Sequence, residues 1–152
     1  MGSTVITRHF DAPIEQVWSL AMDLARWPQW FPSIVEVRDI SGPTDHVGTT
    51  AVLVARGPDG VHQLRLELTQ VEPPSVHAHI AAEVGGGMTY ESSIRLTPSD
   101  LGTDMRWQRD LSPTRGPLGG LIDMFLIGRM SERQMRKACD GFQAMLAGMT
   151  PG

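Results

Sequence analysis

Between residues 33 and 111 the chain runs through six stretches in which apolar and polar side chains alternate. "VHQLRLELTQV" (61–71) is the clearest: Leu64, Leu66 and Leu68 fall on one side, Arg65, Glu67 and Thr69 on the other. A period of two sends successive side chains to opposite faces of a strand, so each stretch reads as a strand with one dry and one wet face. The others are "SIVEVRDI" (33–40), "TTAVLVAR" (49–56), "VHAHIAAEV" (76–84), "MTYESSIRLT" (88–97) and "TDMRWQRDL" (103–111). "GPDG", "GGG" and "SDLG" are turn sequences between them, and short turns join antiparallel neighbours. The pattern predicts an antiparallel meander with one covered face. In "VHAHIAAEV" the expectation is Val76, Ala78, Ile80 and Ala82 on one face, with His77, His79 and Glu83 on a solvated one.

The flanks supply the cover. Residues 3–11 alternate as a first strand, and "DAPIEQVWSLAMDLARW" then shifts to a helical period, with Ile14, Val17, Trp18, Ala21 and Met22 on one stripe. Asp11 is the expected cap, and Pro13 falls in the first turn, where its missing N–H costs nothing. Trp27, Pro28, Trp30, Phe31 and Pro32 follow. Proline disfavours helical backbone at the residue before it, so a short second helix or turn is expected near 23–31, with both prolines breaking the helix as the chain enters the sheet. From Pro117 to Gly148 one helix of about 30 residues, about 45 Å long, is predicted. Leu121, Phe125, Gly128, Met135, Phe142 and Met145 or Leu146 mark its apolar stripe, and Gly119, Gly120, Gly128 and Gly141 weaken it towards a late start or a bend.

The order is strand, helical hairpin, six strands and a long helix: one α+β domain over residues 1–152. With 41% apolar and 20% charged residues, the composition is that of an ordinary globular domain. A formal charge of −4 and the lack of any basic run argue against nucleic acid as a partner, since phosphate binding needs clustered cations. One cysteine, Cys139, permits neither an internal disulfide nor a thiolate zinc cluster, and fits a reducing cytoplasm. "MGSTVITRHF" is not a signal peptide, and the apolar stretches are too short to span a bilayer. A single lysine and no asparagine fit the codon bias of a GC-rich, bacterial genome.

A curved sheet gripping one helix tends to leave a gap along its concavity. The side chains assigned to that gap are Leu64, Leu66, Leu68, Ile80, Tyr90, Met105, Trp107, Met124, Phe125 and Met135, with Gly128 beside them on the helix. Nine methionines suit a cavity that moulds around a guest; they also suit irregular core space. Trp27 and Phe31 are expected to face the cavity and Trp30 its rim, unless all three are core plugs. Few polar residues share the inner face. Arg109 could bind a carboxylate or polarise a carbonyl, Tyr90 could donate a hydrogen bond, and Gln70, Ser92 and Arg56 are further candidates. The rival reading of Arg109 is a salt bridge at the rim.

"FDAPIEQVWSLAMDLARWPQWFPSIVEV", the hairpins, "GTDMRWQRDL" and the long helix together resemble the START/Bet v 1-like (SRPBCC) helix-grip superfamily, over essentially the whole chain. Within it the polyketide cyclase/dehydrase and lipid-transport branch is most similar. The resemblance implies a curved seven-stranded sheet wrapped around a long C-terminal helix, two short helices after the first strand, and a hydrophobic cavity. It implies a hydrophobic small-molecule ligand and no cofactor. The "WP.WFP" and "GT.MRW" blocks look like bacterial aromatase/cyclases, which fold a poly-β-ketone for aldol closure and dehydration. In those enzymes an arginine near the end of the fourth strand and a tyrosine just after the "WP" block have cavity roles. Gln70 and Ile34 stand there in this chain, which favours binding over turnover.

Other constellations carry less. His77 and His79 share a strand face but lack a third ligand at suitable spacing, so no metal site is expected. Cys139 has no evident base and reads as a packing residue. Three functions remain: a cofactor-free binder of a polyketide-like, aromatic or lipid ligand, as monomer or homodimer; an aromatase/cyclase or dehydratase using Arg109 and Tyr90; or a protein-docking module with a collapsed interior.

Overall fold

The alternating runs become strands and the three-four periodic runs become helices. The computed structural model describes residues 2–57, 60–113 and 120–149, apart from the side chains at 2, 113 and 120–127. In chain order the elements are β1 (Gly2–Phe10), α1 (Ile14–Met22), one 3-10 turn (Leu24–Arg26), α2 (Trp27–Trp30), β2 (Ile34–Arg38), β3 (Thr50–Gly57), β4 (Gly60–Glu72), β5 (Val76–Glu83), β6 (Met88–Ser99), β7 (Gly102–Pro113) and α3 (Gly120–Gly148). The strands form one seven-stranded antiparallel sheet in the order β1-β7-β6-β5-β4-β3-β2. β2 to β7 meander as the turn signals predict, and β1 returns to pair with β7. The α+β helix-grip expectation therefore holds. The predicted roles of Pro117 and Gly119 at the start of the long helix, and the side chains of Met124 and Phe125, lie outside the described residues.

α3 spans 29 residues, about 43 Å. Its buried positions, Ser131, Met135, Ala138, Cys139, Phe142 and Leu146, recur at three and four, the spacing that lays one stripe on the sheet. Phe142 meets Phe10 of β1, with ring centroids 5.1 Å apart, and Trp30 of α2 edge-on at 5.0 Å. Gly141 lets α2 approach this closely: a Cβ there would collide with the Trp30 carbonyl oxygen. The glycine that weakens the helix as a sequence is thus required where two helices touch.

Two local expectations are corrected. Asp11 does not cap α1; Pro13 occupies the cap position, no side chain bonds the helix end, and Asp11 accepts a hydrogen bond from His9 instead. Pro28 does not break a helix. It lies in the first turn of α2, where no N–H is needed, and Trp27 keeps helical angles (φ −51, ψ −40).

The inner face of the sheet is set by the leucines of β4: Leu64, Leu66 and Leu68 are 8%, 0% and 0% exposed. Leu66 pairs with Ala81 and Leu68 with His79 of β5, and paired residues share a face, so His79 and Ala81 point inward and His77 with them. The expected solvated face of β5 is therefore the buried one. Ile80, paired with Glu67 and Glu91, stands on the outer face with Ala78 and Ala82. A bulge between Leu68 and Gln70 then shifts the register, and Gln70 pairs with Ala78 on that outer face, where it is exposed.

Candidate functional site

Antiparallel pairing lines up inner-face residues in rows across β5, β6 and β7. Ser92 pairs with His79 on one side and Arg109 on the other. The next row holds Ala81, Tyr90 and Leu111; the row beyond Ser92 holds His77, Ile94 and Trp107. The result is a strip of polar side chains set in an apolar wall.

A hollow of about 160 Å³ lies between this wall and α3. Its lining includes Ile34, Leu53, Ala55, Leu64, Tyr90, Arg109 and Leu111, with Ser131 and Gln134 of α3 and the exposed Arg56 beside them. A smaller cavity of about 20 Å³ shares Tyr90 and Arg109 with it. That cavity is walled by Trp27, Trp30, Phe31, Trp107, His79, Ser92 and Ile94. About 160 Å³ is the size of a cavity that holds one benzene, below the usual range for drug-sized ligands.

The sequence-predicted residues separate into three groups. Leu64, Tyr90 and Arg109 line the hollow, and Trp27, Phe31, Ser92 and Trp107 join Tyr90 and Arg109 around the small cavity. Leu66, Leu68 and Met135 are fully buried core, and Met105 packs at the Phe10 end of the sheet. Gln70 and Ile80 are on the far side of the sheet, because of the bulge and of the β5 register. Gly128, partly exposed on α3, lines neither space. Trp30 is no rim residue: it is 6% exposed and wedged between Trp27, Phe31 and Phe142. Sequence reasoning missed His79, Leu53, Ala55 and Leu111. The signal for His79 was available only through its pairing with Leu68.

The electrostatics are lopsided. Arg109 is 9% exposed, so it is not a rim ion pair; its guanidinium carbon lies 4.3 Å from the centre of the Tyr90 ring and 5.8 Å from that of Phe31. Its Nε and Nη1 have no hydrogen-bond partner among the described residues. No described lining residue of either space is acidic. Burial raises the Tyr90 pKa, with Arg109 opposing, so the phenol keeps its proton. Burial pushes the His77 imidazole down to about 4 and His79 well down too, the latter with help from His77 and Arg109. Both are therefore neutral at pH 7. Neither His77 nitrogen, nor Nδ1 of His79, nor Trp30 Nε1 has a partner among the described residues. By contrast Trp107 Nε1 donates to Ser92 Oγ at 2.8 Å and Trp27 Nε1 to the Ala21 carbonyl at 2.9 Å.

Among the described residues no three His, Cys, Asp or Glu side chains gather as metal ligands. No helix there is long and apolar enough to cross a membrane. Cys139 is buried, and desolvation raises its thiol pKa to about 11.

A comparison with curated proteins returned no match. Among solved structures, the chain is similar to a structural-genomics protein from Rhodobacter sphaeroides (TM-score 0.74, 23% identity, 98% of this chain and 94% of that one). It is also similar to a START superfamily protein from Mycobacterium smegmatis (0.76, 13%, 99% and 100%) and to the Zhui aromatase/cyclase of Streptomyces sp. R1128 (0.77, 15%, 94% and 92%). At these identities the likeness is one of fold. The sequence family described as polyketide cyclase / dehydrase and lipid transport matches residues 1–147, and this chain belongs to that family.

Proposed function

We propose that this protein binds a compact apolar small molecule, without a cofactor, in the hollow between its sheet and α3. The observation that carries the reading is the hollow itself: about 160 Å³ walled by Ile34, Leu53, Ala55, Leu64, Tyr90 and Leu111. Unfilled apolar space forfeits contacts that a guest restores, so its retention favours ligand binding over simple stability. The volume supports a ligand of single-ring size in preference to a long lipid. Native mass spectrometry of freshly purified protein, followed by solvent extraction, should recover such a guest. Ala55→Phe, which fills the hollow, should abolish it; a guest retained in full by that variant would refute the site.

A second reading is an aromatase/cyclase or dehydratase step on a keto substrate. Tyr90 and Arg109, side by side at the wall, could donate to a developing enolate oxygen. The outward position of Gln70 and the apolar Ile34 weigh towards binding. Turnover lost in both Arg109→Ala and Tyr90→Phe would favour the enzyme; turnover unchanged in both would remove these role assignments. The third reading, a docking module, expects a collapsed interior and is disfavoured by the hollow.

A further inference from the structure

The small cavity that shares Tyr90 and Arg109 with the hollow is walled by several hydrogen-bond donors. Arg109 presents Nε–H and Nη1–H without partners, and Trp30 an unpartnered indole N–H. Tyr90 keeps its phenolic proton. His79 presents an unpartnered Nδ1, which carries a proton in one neutral tautomer. In the described lining of that cavity the one hydroxyl besides Tyr90 is Ser92 Oγ, already engaged by Trp107; Ser33, Ser131 and Gln134 line the larger hollow. His79 and Arg109 flank Ser92 in one row, two strands and about 10 Å apart at Cα, leaving a gap above Ser92. The adjoining cavity of about 20 Å³ fits a single oxygen-sized group. A buried cation facing donors, with no acidic side chain in the lining, lacks the counter-charge that would make its burial favourable.

We infer that the hollow takes a small organic carboxylate charge-first, its oxygens received by Arg109, Tyr90 and His79 and its apolar body held against Leu53, Leu64 and Leu111. His79 is then a specificity-determining residue, absent from any reading of the sequence as a solvated strand face. Exposed Arg56 at the same hollow adds attraction for an anion. This rests on the hollow being the ligand site.

Benzoate and nitrobenzene test it, being planar rings of the same shape that differ in charge. Calorimetric or NMR titration of the wild-type protein should give benzoate at least a tenfold advantage. Arg109→Met should erase that advantage while nitrobenzene still binds. His79→Phe, which keeps a ring and removes both nitrogens, should shrink the advantage severalfold and leave nitrobenzene unchanged. Nitrobenzene binding as tightly as benzoate to the wild type overturns the inference and leaves the hollow as a ligand site. Benzoate binding undiminished in Ala55→Phe places the anion elsewhere and overturns it as well. Failure of both probes to bind at millimolar concentration overturns the inference together with the proposed function.

Discussion

Replacing His77 with phenylalanine should make the fold less sensitive to acid. The wild-type imidazole is 1% exposed and packs edge-on against Trp27 with ring centroids 6.2 Å apart. Burial holds its folded pKa down to about 4, against 6.5 in the unfolded chain. Between those values the unfolded chain carries the extra proton, so stability rises with pH there. The contribution is fully present above pH 6.5 and is lost as pH falls towards 4. Integrated over that window it amounts to about 3 kcal/mol from this one residue. His79, lowered for the same reason, acts in the same direction. Phenylalanine cannot titrate, and it removes two buried nitrogens that lack partners. The variant should therefore gain about 1 kcal/mol or more at pH 7, less any cost of fitting the larger ring. The assay is urea unfolding of both proteins at pH 7, 5.5 and 4.5, comparing the difference in stability at each pH, since the carboxylates common to both cancel. Between pH 7 and 4.5 the difference should widen by about 2 kcal/mol in favour of the variant. A constant difference across the three pH values would refute the claim that a buried neutral imidazole governs this part of the acid response.

Other outcomes follow from single contacts. Gly141→Ala should cost about 1–3 kcal/mol in thermal or urea unfolding, because its Cβ meets the Trp30 backbone and not a movable side-chain end. Trp107→Phe removes the donor to Ser92 and should cost about 1–3 kcal/mol, with Ser92→Ala costing less in the Phe background than in wild type. Cys139 should resist a thiol reagent at pH 8 until the chain is unfolded, the residue being 2% exposed and its thiol held protonated by burial.

The strands, their turns and the long helix were legible because each announces itself locally: period two, period three-four, glycine and proline. What a strand faces is not local. In "VHAHIAAEV" hydropathy favours Val76, Ala78, Ile80 and Ala82 for the inside, and the set it rejects, His77, His79 and Ala81, is the one that faces inward. The choice belongs to β4, whose leucines leave no doubt about the inside, and it reaches β5 through the register Leu66 to Ala81. The same dependence misplaced Gln70, since one extra residue at the bulge inverts every side chain beyond it. The inner faces of β6 and β7 were read correctly, Tyr90, Ser92, Trp107 and Arg109 included, because the large apolar side chains of these strands lie on one face. Trp30 was misread because proximity to proline in sequence said nothing of Gly141, more than a hundred residues away, which makes room for it.

The sheet order has a consequence for how the chain is made. β1, residues 2–10, has one strand neighbour in the sheet, residues 103–111. An emerging polypeptide must carry Ile6 and Phe10 without their strand partner until β7 has also left the ribosome. Pairing across so long a separation is entropically slow. β1, made before every other strand of the sheet, is therefore among the last to find its place, and the interval is when a chaperone has most to grip.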